Sequence, residues 1–246
     1  MNHLSKRAFT LTEMLVAAPV AMLLGTMLLA VSNDAKQQLQ AAACLNNMRQ
    51  WGLGFMLYAN DYNDSYPYDG NYTAGLICGV GTWFDVVPPY IGQKSLCNLY
   101  AAGTPPTPLT KSIWICPSAT NVTVQPTLSV PYFTYSMTVC YHRRTSARSS
   151  FRRNEATSPS TTILFCEESE DSFGETRGDA DTVTRHFGGS NFVFWDGHAG
   201  WLTYTNFCRN CAAHPFQWDD STVAGDWKAT VQYHWWPFAN ASMAQQ

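Results

Sequence analysis

Between Met14 and Val31 the chain runs eighteen residues without a charge, MLVAAPVAMLLGTMLLAV. As a helix that stretch extends roughly 27 Å, close to the hydrocarbon thickness of a bilayer. Lys6 and Arg7 precede it, so the positive-inside rule predicts a cytoplasmic start with the remainder sent outward. A secretory signal peptide is the plainest alternative, with Ala30-Val31-Ser32 as a small-x-small cleavage site. Glu13 argues against it. An ionisable group at the lip of a membrane span is costly and has a job or a partner, and a signal peptide has no use for one there. Pro19 and Gly25 lie within the run, where membrane helices tolerate them and can bend at them.

Beyond Val31 the pattern turns polar with spaced apolar residues. Leu45, Met48, Gly52, Phe55 and Ala59 recur at three- and four-residue steps, the period of an amphipathic helix. One long helix is therefore expected from Phe9 to Asp61. Residues 9–32 form its transmembrane half, and residues 33–62 are an amphipathic continuation packed on a globular head. Asn60, Asp61, Asn63, Asp64 and Pro67 supply the stop. Residues 63–246 read as a β-rich head. Within it, 70–81 and 104–108 look like loops flanking a short apolar piece at Trp83–Val87. Strands are expected at Ser112–Cys116, Tyr132–Tyr141, Thr161–Glu167, Asn191–Trp195 and Ala199–Tyr204, with Asp196-Gly197 as a two-residue hairpin turn. The fold class is α+β, a small antiparallel sheet lying on the second half of the helix.

Two groups of residues resemble known families. Lys6-Arg7-Ala8-Phe9-Thr10-Leu11-Thr12-Glu13-Met14-Leu15-Val16 is similar to the class III signal of type IV pilins and type II secretion pseudopilins. The resemblance implies that a prepilin peptidase removes a leader, residues 1–8, between Ala8 and Phe9 and N-methylates Phe9. It also implies that Glu13 neutralises the new amine of a neighbouring subunit during assembly. A buried charge left unpaired costs roughly 3–5 kcal/mol, so such a pairing can set register. Ala8 stands where the family has Gly, and Thr12 where an aliphatic residue is commoner. Further along, Arg185-His186, nine residues, then Asp196-Gly197-His198 resembles the His-x9-Asp-Gly domain of prepilin-like proteins. The segments 44–53, Cys116-Pro117-Ser118 and Ser158-Pro159-Ser160 fit the same family. The resemblance implies a pilin-like structural subunit of a type IV pilus or type II secretion pseudopilus. Its partners would be the peptidase, other pilin or pseudopilin subunits, and the inner-membrane assembly machinery. The chain would be single-pass, with its N-terminus cytoplasmic and its head periplasmic or extracellular. The alternative is an envelope binding protein, for glycans for example, that uses the helix as a tether.

No catalytic residue is assigned, and an enzyme is not expected. His186, Asp196 and His198 invite a metal or catalytic reading. The plainer reading makes Asp196 and Gly197 the turn and lets His186 hydrogen-bond its backbone. Eight cysteines are ordinary for a chain folded in an oxidising space. Cys208 and Cys211, with His214 beyond, have zinc-like spacing but fall short of four ligands, so a disulfide is preferred. Cys78 with Cys97, and Cys44 with Cys116, are the other expected pairs, leaving Cys140 and Cys166. No metal is assigned. The acidic run Glu167, Glu168, Glu170, Asp171, Glu175, Asp179 and Asp181 offers hard oxygen ligands that can hold calcium, as in some pseudopilins. Its spacing follows no known loop code, and a solvated loop is the preferred reading.

Composition narrows the field. Charged residues are only 13% and aromatics 14%, so the chain has ample material for a core and is not disordered. The net charge of −3 becomes −5 once Lys6 and Arg7 leave with the leader. That is not the basic stripe of a nucleic-acid binder. The exception, Arg143, Arg144, Arg148, Arg152 and Arg153, reads as a solvated loop. In the extension 205–246, Trp218, Trp227, Trp235, Trp236 and Tyr233 join the preceding Trp201 and Tyr204; core packing is the preferred reading, and an exposed surface for sugar binding or subunit contacts is the alternative.

Overall fold

One face of one helix organises the head. Cys44, Met48, Trp51, Phe55 and Ala59 recur at helical spacing and are all fully buried. The computed structural model describes residues 10–68, 81–108, 110–119, 132–138, 151–168, 175–176 and 182–207, with backbone only at 24–32 and 175–176. The chain divides into two units, Met1–Gln40 and Ala41–Gln246.

Helix α1 spans Leu11–Asp61. The expectation of a membrane-spanning first half is corrected: among the described residues no helix is long and apolar enough to cross a membrane. Pro19 lies inside this helix. The start of α1 has local chemistry that the sequence reading missed. Glu13 accepts hydrogen bonds from Thr10 N and Thr10 Oγ1, both at 2.8 Å, and Glu13 N reaches back to Thr10 Oγ1 at 3.3 Å. This is a capping box, which satisfies amides that otherwise lack a partner at a helix start. Those bonds hold the exposed Glu13 carboxyl below its ordinary range.

In the second unit α1 ends at Asp61. Asn63 and Asp64 turn left-handed (φ 56° and 62°), and Asp64 N caps Ala59 O at 2.9 Å. Three short helices fill the segment between the two expected loops: α2 (Trp83–Val86), which falls on the expected apolar piece, a 3₁₀ turn (Pro88–Ile91) and α3 (Leu96–Ala101). The expected strand at Ser112–Cys116 is instead a run of turns. Its backbone is used otherwise, with Ile113 O accepting Trp51 Nε1 at 3.1 Å and Trp114 O accepting Thr134 N at 3.1 Å.

The strands are β1 (Tyr135–Thr138), β2 (Ile163–Glu167), β3 (Glu175–Thr176), β4 (Gly189–Phe194) and β5 (Ala199–Thr203), in the order β3-β1-β2-β4-β5. Four are antiparallel neighbours, and β3 joins β1 in parallel. The register Tyr135↔Glu167, Met137↔Phe165 and Phe165↔Val193 puts these five residues on one face of the sheet. That face meets α1. Phe165 lies 5.6 Å from Trp51 between ring centroids, and Trp51 also meets Trp83 at 5.3 Å and Trp114 at 5.0 Å. The Asp196-Gly197 hairpin has a three-residue loop, Trp195–Gly197, rather than the expected two. Gly197 N donates to Phe194 O at 2.9 Å, and Gly197 sits at φ 86°. A short helix, α4 (Tyr204–Phe207), closes the described chain.

Helix and hairpin touch through two glycines. A Cβ on Gly52 would lie 2.2 Å from Gly197 O, and one on Gly197 would lie 2.3 Å from Met56 Cγ. Gly52→Ala is therefore expected to lower stability by about 1–3 kcal/mol through overpacking. Gly92→Ala, with nothing within 4 Å, should lose only the left-handed backbone preference, about 1–2 kcal/mol. Equal chemical-denaturation midpoints for Gly52→Ala and wild type would contradict this docking.

Candidate metal centre

Glu167 ends β2 on the face that meets α1, in line with Phe165, and is fully buried. A lone carboxylate there would be very costly. The sequence folds partners around it. Oε2 accepts Ser190 Oγ at 3.0 Å and Asn191 N at 2.9 Å, and Oε1 accepts Asn191 Nδ2 at 3.2 Å. His186 Nε2 lies 2.8 Å from Oε1, and the Cys44 thiol of α1 points at the same oxygen. Tyr135 OH lies 3.2 Å from Cys44 Sγ and accepts Asn47 Nδ2 at 3.2 Å. Cys116, in the turn after Trp114, has its amide on Thr134 Oγ1 at 2.6 Å and its Sγ 3.3 Å from His186 Nε2.

A strained turn delivers His186. His186 and Gly189 exchange backbone bonds of 3.1 and 2.9 Å, and both residues between them are left-handed, Phe187 at φ 52° and Gly188 at φ 74°. A primed hairpin turn needs this backbone, and for Phe it is unfavourable. Trp201 on β5 lies over Gly189 and donates Nε1 to His186 O at 2.9 Å, pinning the turn from outside.

Cys44, Cys116, Glu167 and His186 thus each offer one ligand atom, all within 4.8 Å of one another, a group that could hold a metal ion. All four are at most 2% exposed. Burial pushes Glu167 up, but the hydrogen bond and charge of His186, with Cys44 and the Asn191 amide, outweigh it and hold the carboxyl below its ordinary range. Burial also opposes a charged His186, yet Cys116 and Glu167 lift it to about 9. The hydrogen bond from Cys44 brings Cys116 down to about 7 against burial, with help from His186. Cys44 itself is pushed well up, by burial first.

A thiol beside an imidazole beside a carboxylate also describes a nucleophilic triad, but two features oppose that use. In a triad the imidazole bridges its neighbours through different nitrogens, whereas here Cys116 and Glu167 meet the same Nε2. The group is also sealed. A nearby cleft of about 380 Å³ is lined by Gly92, Lys94, Leu99, Thr110, Ser112 and Trp114 among others, and by none of the four.

Several expectations change. His186 does not bond the Asp196-Gly197 turn. Asp196 and His198 pair with each other at the surface, Oδ1 to Nδ1 at 2.5 Å, while His186 lies inside the head. Cys44 and Cys116 are thiols, not the expected disulfide, because each sulfur has its own partner in Glu167 or His186. Cys166 carries no disulfide either. Cys97 is disulfide-bonded, and its expected partner Cys78 lies outside the described residues. Glu167 and Glu168 are buried rather than part of a solvated acidic loop. Glu170, Asp171, Asp179 and Asp181 lie outside the described residues, as do Ala8, Phe9, Cys208, Cys211 and His214. Comparison with protein-family models, with curated proteins and with solved structures returns no match.

The two ends of the His-x9-Asp spacing should therefore behave differently. His186→Leu leaves Glu167 buried without its main counterpart and is expected to cost about 3–5 kcal/mol in urea denaturation. Asp196→Asn, at an exposed pair, should change stability by no more than about 1 kcal/mol. Equal losses for the two variants would contradict the separation seen here.

Proposed function

We propose that the chain is a prepilin-like structural subunit, cut between Ala8 and Phe9, N-methylated at Phe9, and packed through its N-terminal helix with other subunits of a pilus or pseudopilus. The observation that carries this reading is the basic leader followed by Phe9, Thr10, Leu11, Thr12 and Glu13 at the start of a long helix. The surface of that helix supports it. Leu11, Met14, Leu15, Val16, Met22 and Leu23 are 60–84% exposed, more apolar surface than a single chain has reason to leave in water. Neighbouring helices would cover it. The disulfide at Cys97 favours a head outside the cytoplasm. The peptidase and the assembly machinery are the partners this reading requires, and in it the head is structural rather than catalytic.

The capping box gives Glu13 a second possible task, so the test must separate charge from cap. Gln at the same position preserves a capping box but removes the charge that would meet the amine of a neighbouring Phe9. Glu13→Gln is expected to leave the helix start intact by circular dichroism and to abolish filament assembly in the producing cell. Mass spectrometry of native material should find N-methyl-Phe9 at its start. Native material beginning at Met1, or normal assembly by Glu13→Gln, would overturn the reading.

A further inference from the structure

Segments far apart in sequence each send one ligand atom to the same buried point: α1 at Cys44, the turn at Cys116, the end of β2 at Glu167, and the strained turn at His186. We propose that these four side chains bind one zinc ion in a closed, four-coordinate site that fastens α1 to the sheet. This goes beyond the assembly reading and does not rest on it.

Geometry comes first. Tetrahedral zinc, with sulfur near 2.3 Å and nitrogen or oxygen near 2.0–2.2 Å, sets its ligand atoms about 3.3–3.8 Å apart. The four atoms already lie within 4.8 Å of one another, with Cys116 Sγ and His186 Nε2 at 3.3 Å. Two groups converge on the single nitrogen Nε2, the arrangement expected of ligands around a common centre. Binding displaces protons: Cys44 and Cys116 coordinate as thiolates and His186 as the neutral imidazole, so the protons held on the two sulfurs and on His186 Nε2 pass to solvent, while the Glu167 carboxylate donates a lone pair.

The donor set selects the ion. Two sulfurs and an imidazole suit a borderline-soft cation, whereas calcium and magnesium take oxygen shells. Four protein ligands in a sealed interior leave no open position, which marks a structural site. The surroundings supply an outer shell of the usual kind. Ser190 and Asn191 orient the carboxylate, Tyr135 OH contacts the Cys44 sulfur, and Trp201 holds the His186 backbone. Redox setting adds an independent reason. Cys97 is in a disulfide, so the head matures where disulfides form, and a bound ion would keep two adjacent thiols reduced there.

The test uses the full chain, purified with neither chelator nor added metal. Elemental analysis for zinc, iron, copper and calcium is expected to find one zinc per chain. Ser190→Ala, which loosens the carboxylate without removing a ligand, should weaken zinc affinity about 10–100-fold, while Cys166→Ala should retain the ion. Cys116→Ser should lose zinc, but that variant can simply fail to fold. Wild type stripped by chelator and given Co²⁺ supplies a readout free of that problem. The visible bands of tetrahedral cobalt thiolate should appear, saturate at one equivalent and bleach when zinc is added. Calcium as the bound ion, an octahedral cobalt spectrum, a Cys44–Cys116 disulfide in the peptide map, or a metal-free chain with both thiols reactive would each overturn the proposal.

Discussion

The Glu167 carboxylate is the constraint around which the described head is arranged. It sits on the apolar face of a central strand, at zero exposure, where an unpaired charge is not tolerated. Satisfying it requires β4 to bring Ser190 and Asn191, the turn before β4 to bring His186, and α1 to bring Cys44. Each of those elements is fixed in turn by packing. Trp51 and Phe55 seat α1 on Phe165, and Gly52 lets the helix close onto the hairpin at Gly197. The polar centre and the aromatic core are thus one construction, the first setting register and the second supplying most of the burial.

This arrangement changes what the His-x9-Asp-Gly spacing means. As a sequence motif it looks like one site, but the two ends serve different contacts. His186 enters the buried centre through a turn whose Phe187 adopts a backbone that bulky residues avoid. Asp196-Gly197 makes the loop that rests on α1, with Gly197 left-handed and against Met56. The nine intervening residues are the β4 strand with its approaches, which carries Asn191 to Glu167 on the way. A strained turn that persists is one the surroundings over-determine, and Trp201 together with Cys116 supplies that determination.

Much of the head was legible in the sequence because its periods are clean. The helical stripe from Cys44 to Ala59 and four of the five expected strands have the spacing that burial on one face demands. Ser112–Cys116 was misread as a strand because an apolar run of Ile and Trp looks alike whether it pairs in a sheet or is buried as turns. The apolar run near the N-terminus was read as a membrane span from its length and its absence of charge, whereas among the described residues no helix is long and apolar enough to cross a membrane. The centre itself left one unread signal. Glu167 alternates with Phe165, which places an acid on the core face of a strand, but its grouping with later acidic residues masked this. No spacing rule could link Cys44, Cys116, Glu167 and His186, since only the tertiary fold brings them together.

The most direct examination of this centre is X-ray absorption at the zinc edge on the purified full-length chain. The account predicts two sulfur neighbours at about 2.3 Å and two nitrogen or oxygen neighbours at about 2.0–2.2 Å. A shell made only of oxygen and nitrogen, or the lack of a zinc edge in a correctly folded sample, would contradict it.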